Sequence, residues 1–153
     1  MKKERDFYHV SLKVFLKNKD GKILALKADS QGSLAGFYDF PGGRIDTDEF
    51  GAAFEDMIAR EIKEEIGDIR YQLSPYPVAL GRHLIPSSMT KNGKDIHVLY
   101  VFFEANYLSG DIAVSSEHQG FDWLDFQAII PEEYFRSGSL EGVRMYLQRL
   151  KAS

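Results

Sequence analysis

Arg60-Glu61-Ile62-Lys63-Glu64-Glu65-Ile66-Gly67 decides how this chain is read. Ahead of it, Phe54, Met57 and Ile58 recur at helical spacing, so the segment from about Ala52 or Ala53 to Ile66 is predicted to be one helix. Gly67 is placed to end it, because glycine takes the left-handed conformation without steric penalty. Glu61, Glu64 and Glu65 are spaced i, i+3, i+4 and fall within an arc of roughly 100°. That arc continues the apolar stripe, while Asp56 and Lys63 lie opposite. A solvated acidic face is the ordinary reading of such a run. An inward stripe that turns from apolar to acidic instead points charge at the protein body. Buried carboxylates need cations, and hard oxygen donors select Mg²⁺ or Mn²⁺. Arg60 falls beside Glu64 and either orients a carboxylate or makes a weak surface pair.

Upstream, Phe40-Pro41-Gly42-Gly43 is a turn where bare backbone can approach an ion or a phosphate. Tyr8 to Lys17 alternates as a strand, turns at Asn18-Lys19-Asp20-Gly21 and returns over Lys22 to Lys27. Ala28 to Gly36 is a loop, and Phe37 to Phe40 a short aromatic segment. Tyr71 to Leu84 has strand-like runs interrupted by Pro75 and Pro77, and Pro86 to Lys94 is a loop. Ile96 to Phe103 suits a central strand buried on both faces, and Phe121 to Leu124 a short one. Helices are expected around Phe126 to Ile130 and Leu140 to Lys151. The order predicts an α/β fold of α+β character: a mixed sheet with helices on both faces, in a single domain over 1–153.

Composition narrows the function. A chain of 153 residues that is 44% hydrophobic and 13% aromatic can bury a core. A net charge of −4 gives no global footprint for duplex nucleic acid. The absence of cysteine removes disulfides, thiolate zinc sites and thiol nucleophiles. With no apolar run of signal or membrane-span length, a soluble cytoplasmic protein without membrane attachment is expected.

At these residues the chain resembles the Nudix hydrolases (MutT-like), whose signature reads G-x5-E-x7-R-E-U-x-E-E-x-G-U, with U a bulky aliphatic residue. Gly43 followed by Glu49 meets the first spacing, and Arg60 to Gly67 meets the second block. Two departures stand out. Ten residues rather than seven separate Glu49 from Arg60, and the last U position is Asp68. The insertion leaves either Glu49 or Glu55 as the helix-start carboxylate.

The resemblance implies an α/β/α sandwich and metal-dependent hydrolysis of a nucleoside diphosphate linked to another group. It implies that Glu61, Glu64, Glu65 and the Gly43 carbonyl hold Mg²⁺ or Mn²⁺. Glu61, assisted by Arg60, is the first candidate for general base, with Glu117 as a loop alternative and Glu104 a weaker one. Arg44, Arg82 and His83 are candidate phosphate contacts; Phe37 and Tyr38 are candidate base-stacking rings, set against a core role expected for at least two rings of Phe37 to Phe40. The small-molecule partner is then a nucleoside diphosphate derivative. A homodimer through the first hairpin or Tyr100 to Phe103 is a further expectation. The alternative is a non-catalytic module that senses a nucleotide or binds a protein. Isopentenyl diphosphate isomerisation, performed by a related branch of the fold, needs a thiol this chain lacks.

Overall fold

The computed structural model describes residues 2–153. Its centre is a mixed sheet ordered β3-β2-β1-β6-β5, with β4 paired to β1 and β7 to β2. The strands are β1 (Tyr8–Lys17), β2 (Ile23–Ala28), β3 (Tyr38–Asp39), β4 (Gly42–Arg44), β5 (Arg70–Ile85), β6 (Ile96–Ser109) and β7 (His118–Leu124). Among the described residues, only β1 and β6 run parallel, along the whole of β1.

Period-two alternation in β1 builds two cores. Leu12, Val14 and Leu16 face α1 (Phe54–Ile66), meeting its Met57, Ile58, Ile62 and Ile66. Phe15 faces the other way, stacked 4.6 Å from Phe102 and edge-on to Phe40 and Phe126. Val143 and Tyr146 of α3 (Ser137–Ala152) close that second core. α3 can lie this low because Gly142 rests on the Phe102 ring, where a Cβ would stand 2.2 Å from Cε2. Helices therefore cover both faces, as expected.

Three local expectations are corrected. β5 runs unbroken through Pro75 and Pro77, with register shifts on both sides of Pro77. It is an edge strand, where a missing N–H costs little. Phe126 to Ile130 is not helical. Phe126 is buried, Asp125 Oδ1 accepts from the Gln127 N–H at 3.0 Å, and the helical turn α2 starts one step later, at Pro131–Tyr134. Tyr100 to Phe103 lies inside the sheet between β1 and β5, so it has no free edge for a second copy.

The feature that positions the site is a parting of strands. β1 pairs with β2 only beside their turn, at Lys17↔Ile23. Farther along, β4 takes that edge of β1 instead, with Leu12↔Gly43 and Lys13↔Gly42 in register. A cavity of about 260 Å³ opens in the gap, lined by Ser11 and Lys13 from the middle of β1 and by residues at the ends of β2, β3 and β4.

Candidate active site

α1 docks its acidic end on β4. Gly42 has φ +142°, and a Cβ there would stand 1.9 Å from the Leu12 carbonyl oxygen, so no side chain fits. At Gly43 a Cβ would meet the Glu61 carboxylate, with Oε1 at 2.4 Å. The two glycines thus let helix carboxylates sit directly on backbone. Glu65 Oε2 accepts the Gly42 N–H at 2.8 Å.

The three glutamates differ in exposure. Glu65 is buried, Glu61 half-buried and Glu64 exposed at the rim, with 61% of its side-chain surface free. The expected inward stripe therefore loses Glu64 at one margin and also Phe54, which is exposed and leans toward Phe103. Burial raises the Glu65 pKa to about 7, against the pull of Lys13 and the Gly42 N–H. Burial also raises Glu61, opposed mainly by Arg60.

Arg60 ties the acidic residues together. Its guanidinium donates to Glu49 Oε2 at 2.8 Å and to Glu61 Oε1 at 3.0 Å, with Glu64 Oε2 at 3.6 Å. The extra residues fall after Glu49, in the non-helical stretch 50–53 between a 3₁₀ turn, Thr47–Glu49, and α1, and the Asp46 N–H donates to Glu49 Oε1 at 2.9 Å. Those bonds hold the Glu49 carboxyl below its ordinary range, the Asp46 N–H first and Arg60 second. Glu49, not the exposed Glu55, reaches Arg60.

The other expected residues divide. Gly43, Arg44, Glu117 and His83 line the cavity with Glu65. Arg44 also donates to His9 at 3.2 Å. Arg82 does not line it. Strand alternation turns Arg82 outward toward Glu141, 3.8 Å away, and puts its neighbour His83 inside. Phe37 and Tyr38 are also absent from the wall. Phe37 lies under the Arg136 guanidinium, and Tyr38 packs on Tyr134 and Phe135 while its hydroxyl donates to Asp122. Glu104 accepts from the Tyr146 hydroxyl on the α3 face of the sheet, away from α1.

Sequence reading passed over Lys13 and Asp39. Lys13 Nζ is 3.1 Å from Asp39 Oδ2, and both side chains are largely buried at the cavity floor. Burial pulls the Lys13 ammonium down, but Asp39, Tyr100 and Glu65 outweigh it and hold it above the usual lysine range. A lysine in a strand whose two faces are both apolar was the available signal, since such a group is buried only with a partner.

Among the described residues, no three His, Asp or Glu side chains converge as a ready-made metal cage. The donor chemistry nevertheless suits a hard divalent ion: all-oxygen ligands, two of them half-buried or buried, packed on bare glycine backbone.

An acidic helix seated on a diglycine turn beside a cleft, in a mixed sheet clasped by helices, is an arrangement suited to work on phosphoric anhydrides. The NUDIX domain family model matches residues 7–144. The chain belongs to that family and is a hydrolase acting on phosphorus-containing anhydrides. Among curated relatives, the nucleoside triphosphatase NudI of Escherichia fergusonii is 29% identical over 112 residues, spanning 71% of this chain and 76% of the relative. A MutT protein from Methanosarcina mazei Go1 superposes with TM-score 0.68 at 20% identity, over 95% of this chain and 94% of that one. A MutT NUDIX hydrolase from Burkholderia pseudomallei superposes with TM-score 0.59 at 25% identity, over 82% of this chain and 88% of that one.

Proposed function

We propose that this hydrolase cleaves a nucleoside diphosphate linked to a further group, a nucleoside triphosphate included, with Mg²⁺ or Mn²⁺ as cofactor. The observation that carries the reading is the contact of α1 with β4, where Glu65 bonds the Gly42 N–H and Glu61 lies on Gly43. The similarity to relatives named as nucleoside triphosphatases supports the nucleotide part.

Glu61, Glu64, Glu65 and the Gly43 carbonyl would hold the ion. When bound, it neutralises the diphosphate and makes a water more acidic. The chain's own groups do the rest. Arg60 fixes the direction of Glu61 through its 3.0 Å bond, so the carboxylate is set before substrate arrives. Glu61 takes the proton of the attacking water, and Glu117, from the cavity wall, is the second candidate for that role. Arg44, at the same wall, offers a fork of donors to phosphate oxygens.

Release of phosphate or pyrophosphate from a panel of nucleotides with Mg²⁺ tests this. The wild type turns over at least one of them, and Glu64→Gln with Glu65→Gln lowers turnover by about 100-fold or more while the chain stays folded. The competing reading is nucleotide binding without turnover. Wild-type inactivity across the whole panel would establish it.

A further inference from the structure

The hydrolytic chemistry uses the part of the cavity at Gly43, Arg44, Glu65 and Glu117. The floor beyond carries buried polar groups with unspent hydrogen-bonding capacity. Lys13 Nζ donates to Asp39 Oδ2 at 3.1 Å and to the Phe40 carbonyl at 3.4 Å, which leaves one of its three N–H groups free. Asp39 Oδ1 is occupied by the Phe40 N–H at 2.8 Å and the Ser139 hydroxyl at 3.3 Å. Oδ2 has Lys13 alone and can accept a second donor. His118 lines the same wall, and its Nδ1 is buried with no partner. His83 differs: both its ring nitrogens are taken, by Ser33 and Ser137 at 2.8 Å each, so it braces the wall.

The same cavity is poor in large aromatic side chains. Among the described residues, Tyr100 is the one Phe, Tyr or Trp that lines it. Lys13 Nζ sits 5.0 Å from its ring centroid, and Phe102 meets it edge-on at 6.0 Å. A heterocycle entering here finds more hydrogen-bonding groups than rings to stack on.

We infer that Lys13, Asp39 and His118 read the edge of the substrate's nucleobase, with Asp39 accepting from a ring N–H or amino group and Lys13 donating to a neighbouring ring nitrogen or carbonyl. This rests on the nucleotide reading above and adds how the base is chosen. A site built of buried polar groups is selective, because a base that lacks the matching donor or acceptor leaves them unpaired. A stacking or apolar pocket would tolerate every base.

The test is calorimetric titration of the four common ribonucleoside monophosphates into metal-free wild type and Asp39→Asn. Monophosphates carry the base and have no anhydride to cleave, so binding is read apart from turnover. One base binds wild type about tenfold or more tighter than the weakest, and Asp39→Asn compresses that spread to about threefold or less. Equal binding of all four by wild type, or a uniform loss for all four in Asp39→Asn, overturns the inference. Should Asp39→Asn unfold, His118→Phe, which removes the unpartnered nitrogen, is read by the same criterion. Turnover of nucleotides with no base preference sinks this inference and leaves the hydrolase reading standing. Base-selective binding without turnover does the reverse.

Discussion

Glu65 and Gly42, 23 positions apart in the chain, are joined by a 2.8 Å hydrogen bond from the glycine N–H to the carboxylate. That bond fixes α1 against β4 and holds a carboxylate where water is scarce. Everything proposed for the site follows from this seating of an acidic helix on bare backbone.

The first consequence is a pH-dependent stability. The folded chain raises the Glu65 pKa from 4.5 to about 7, chiefly by burial. The folded state therefore binds the proton more tightly than the unfolded one. The associated stability is fully present below about pH 4.5 and is lost as pH rises through about 7. This single group accounts for roughly 2–4 kcal/mol of it. Urea melts of metal-free Glu65→Gln relative to wild type isolate the effect. The variant's advantage grows between pH 5 and 8 (roughly the interval between the two pKa values), and a flat difference contradicts the burial account.

The two glycines separate stability from function. Gly42→Ala forces a Cβ into the Leu12 carbonyl and a backbone φ that alanine rarely adopts, so it destabilises by roughly 2–4 kcal/mol. Gly43→Ala meets the carboxylate end of the Glu61 side chain rather than backbone. It costs about 1 kcal/mol or less in thermal melts, yet displaces Glu61 and lowers turnover by about 10- to 100-fold. Equal effects of the two substitutions on both readouts would contradict this division.

Arg60 and Glu49 act as a unit. Their pair is partly exposed, so Arg60→Ala changes stability by about 1 kcal/mol or less. Turnover falls about tenfold or more, because Glu61 loses its orienting bond. Glu49→Gln works through the same guanidinium, so its kinetic effect does not add to that of Arg60→Ala. Glu55→Gln, at an exposed position, leaves turnover unchanged. Additive Arg60 and Glu49 effects would show that the insertion has uncoupled Glu49 from the site.

The site helix was legible because its signals are local: a 3.6-residue period, three glutamates on one arc and a glycine stop. The diglycine turn was legible because only glycine tolerates such close backbone. Glu49 against Glu55 was not, since the path of the chain ahead of the insertion depends on the Asp46 and Arg60 bonds that hold Glu49. Arg82 and His83 were both read as phosphate contacts, yet only His83 lines the cavity: register shifts around Pro77 hide the phase of β5, and adjacent side chains on a strand point to opposite faces. Asp39 escaped because its meaning is tertiary: it is defined by Lys13, 26 positions away. Phe37 and Tyr38 were candidates for stacking or for the core, and Arg136, Tyr134 and Phe135, from the distant C-terminal segment, claim their faces.

Direct binding of Mn²⁺, followed by electron paramagnetic resonance near pH 8, tests the account at its root. Wild type takes up the ion, Glu61→Gln and Glu65→Gln each weaken uptake by about 10- to 100-fold, and Glu104→Gln, on the opposite face, leaves it unchanged. Uptake that is absent in wild type, or indifferent to Glu61 and Glu65, contradicts the claim that this acidic helix end exists to hold a divalent cation.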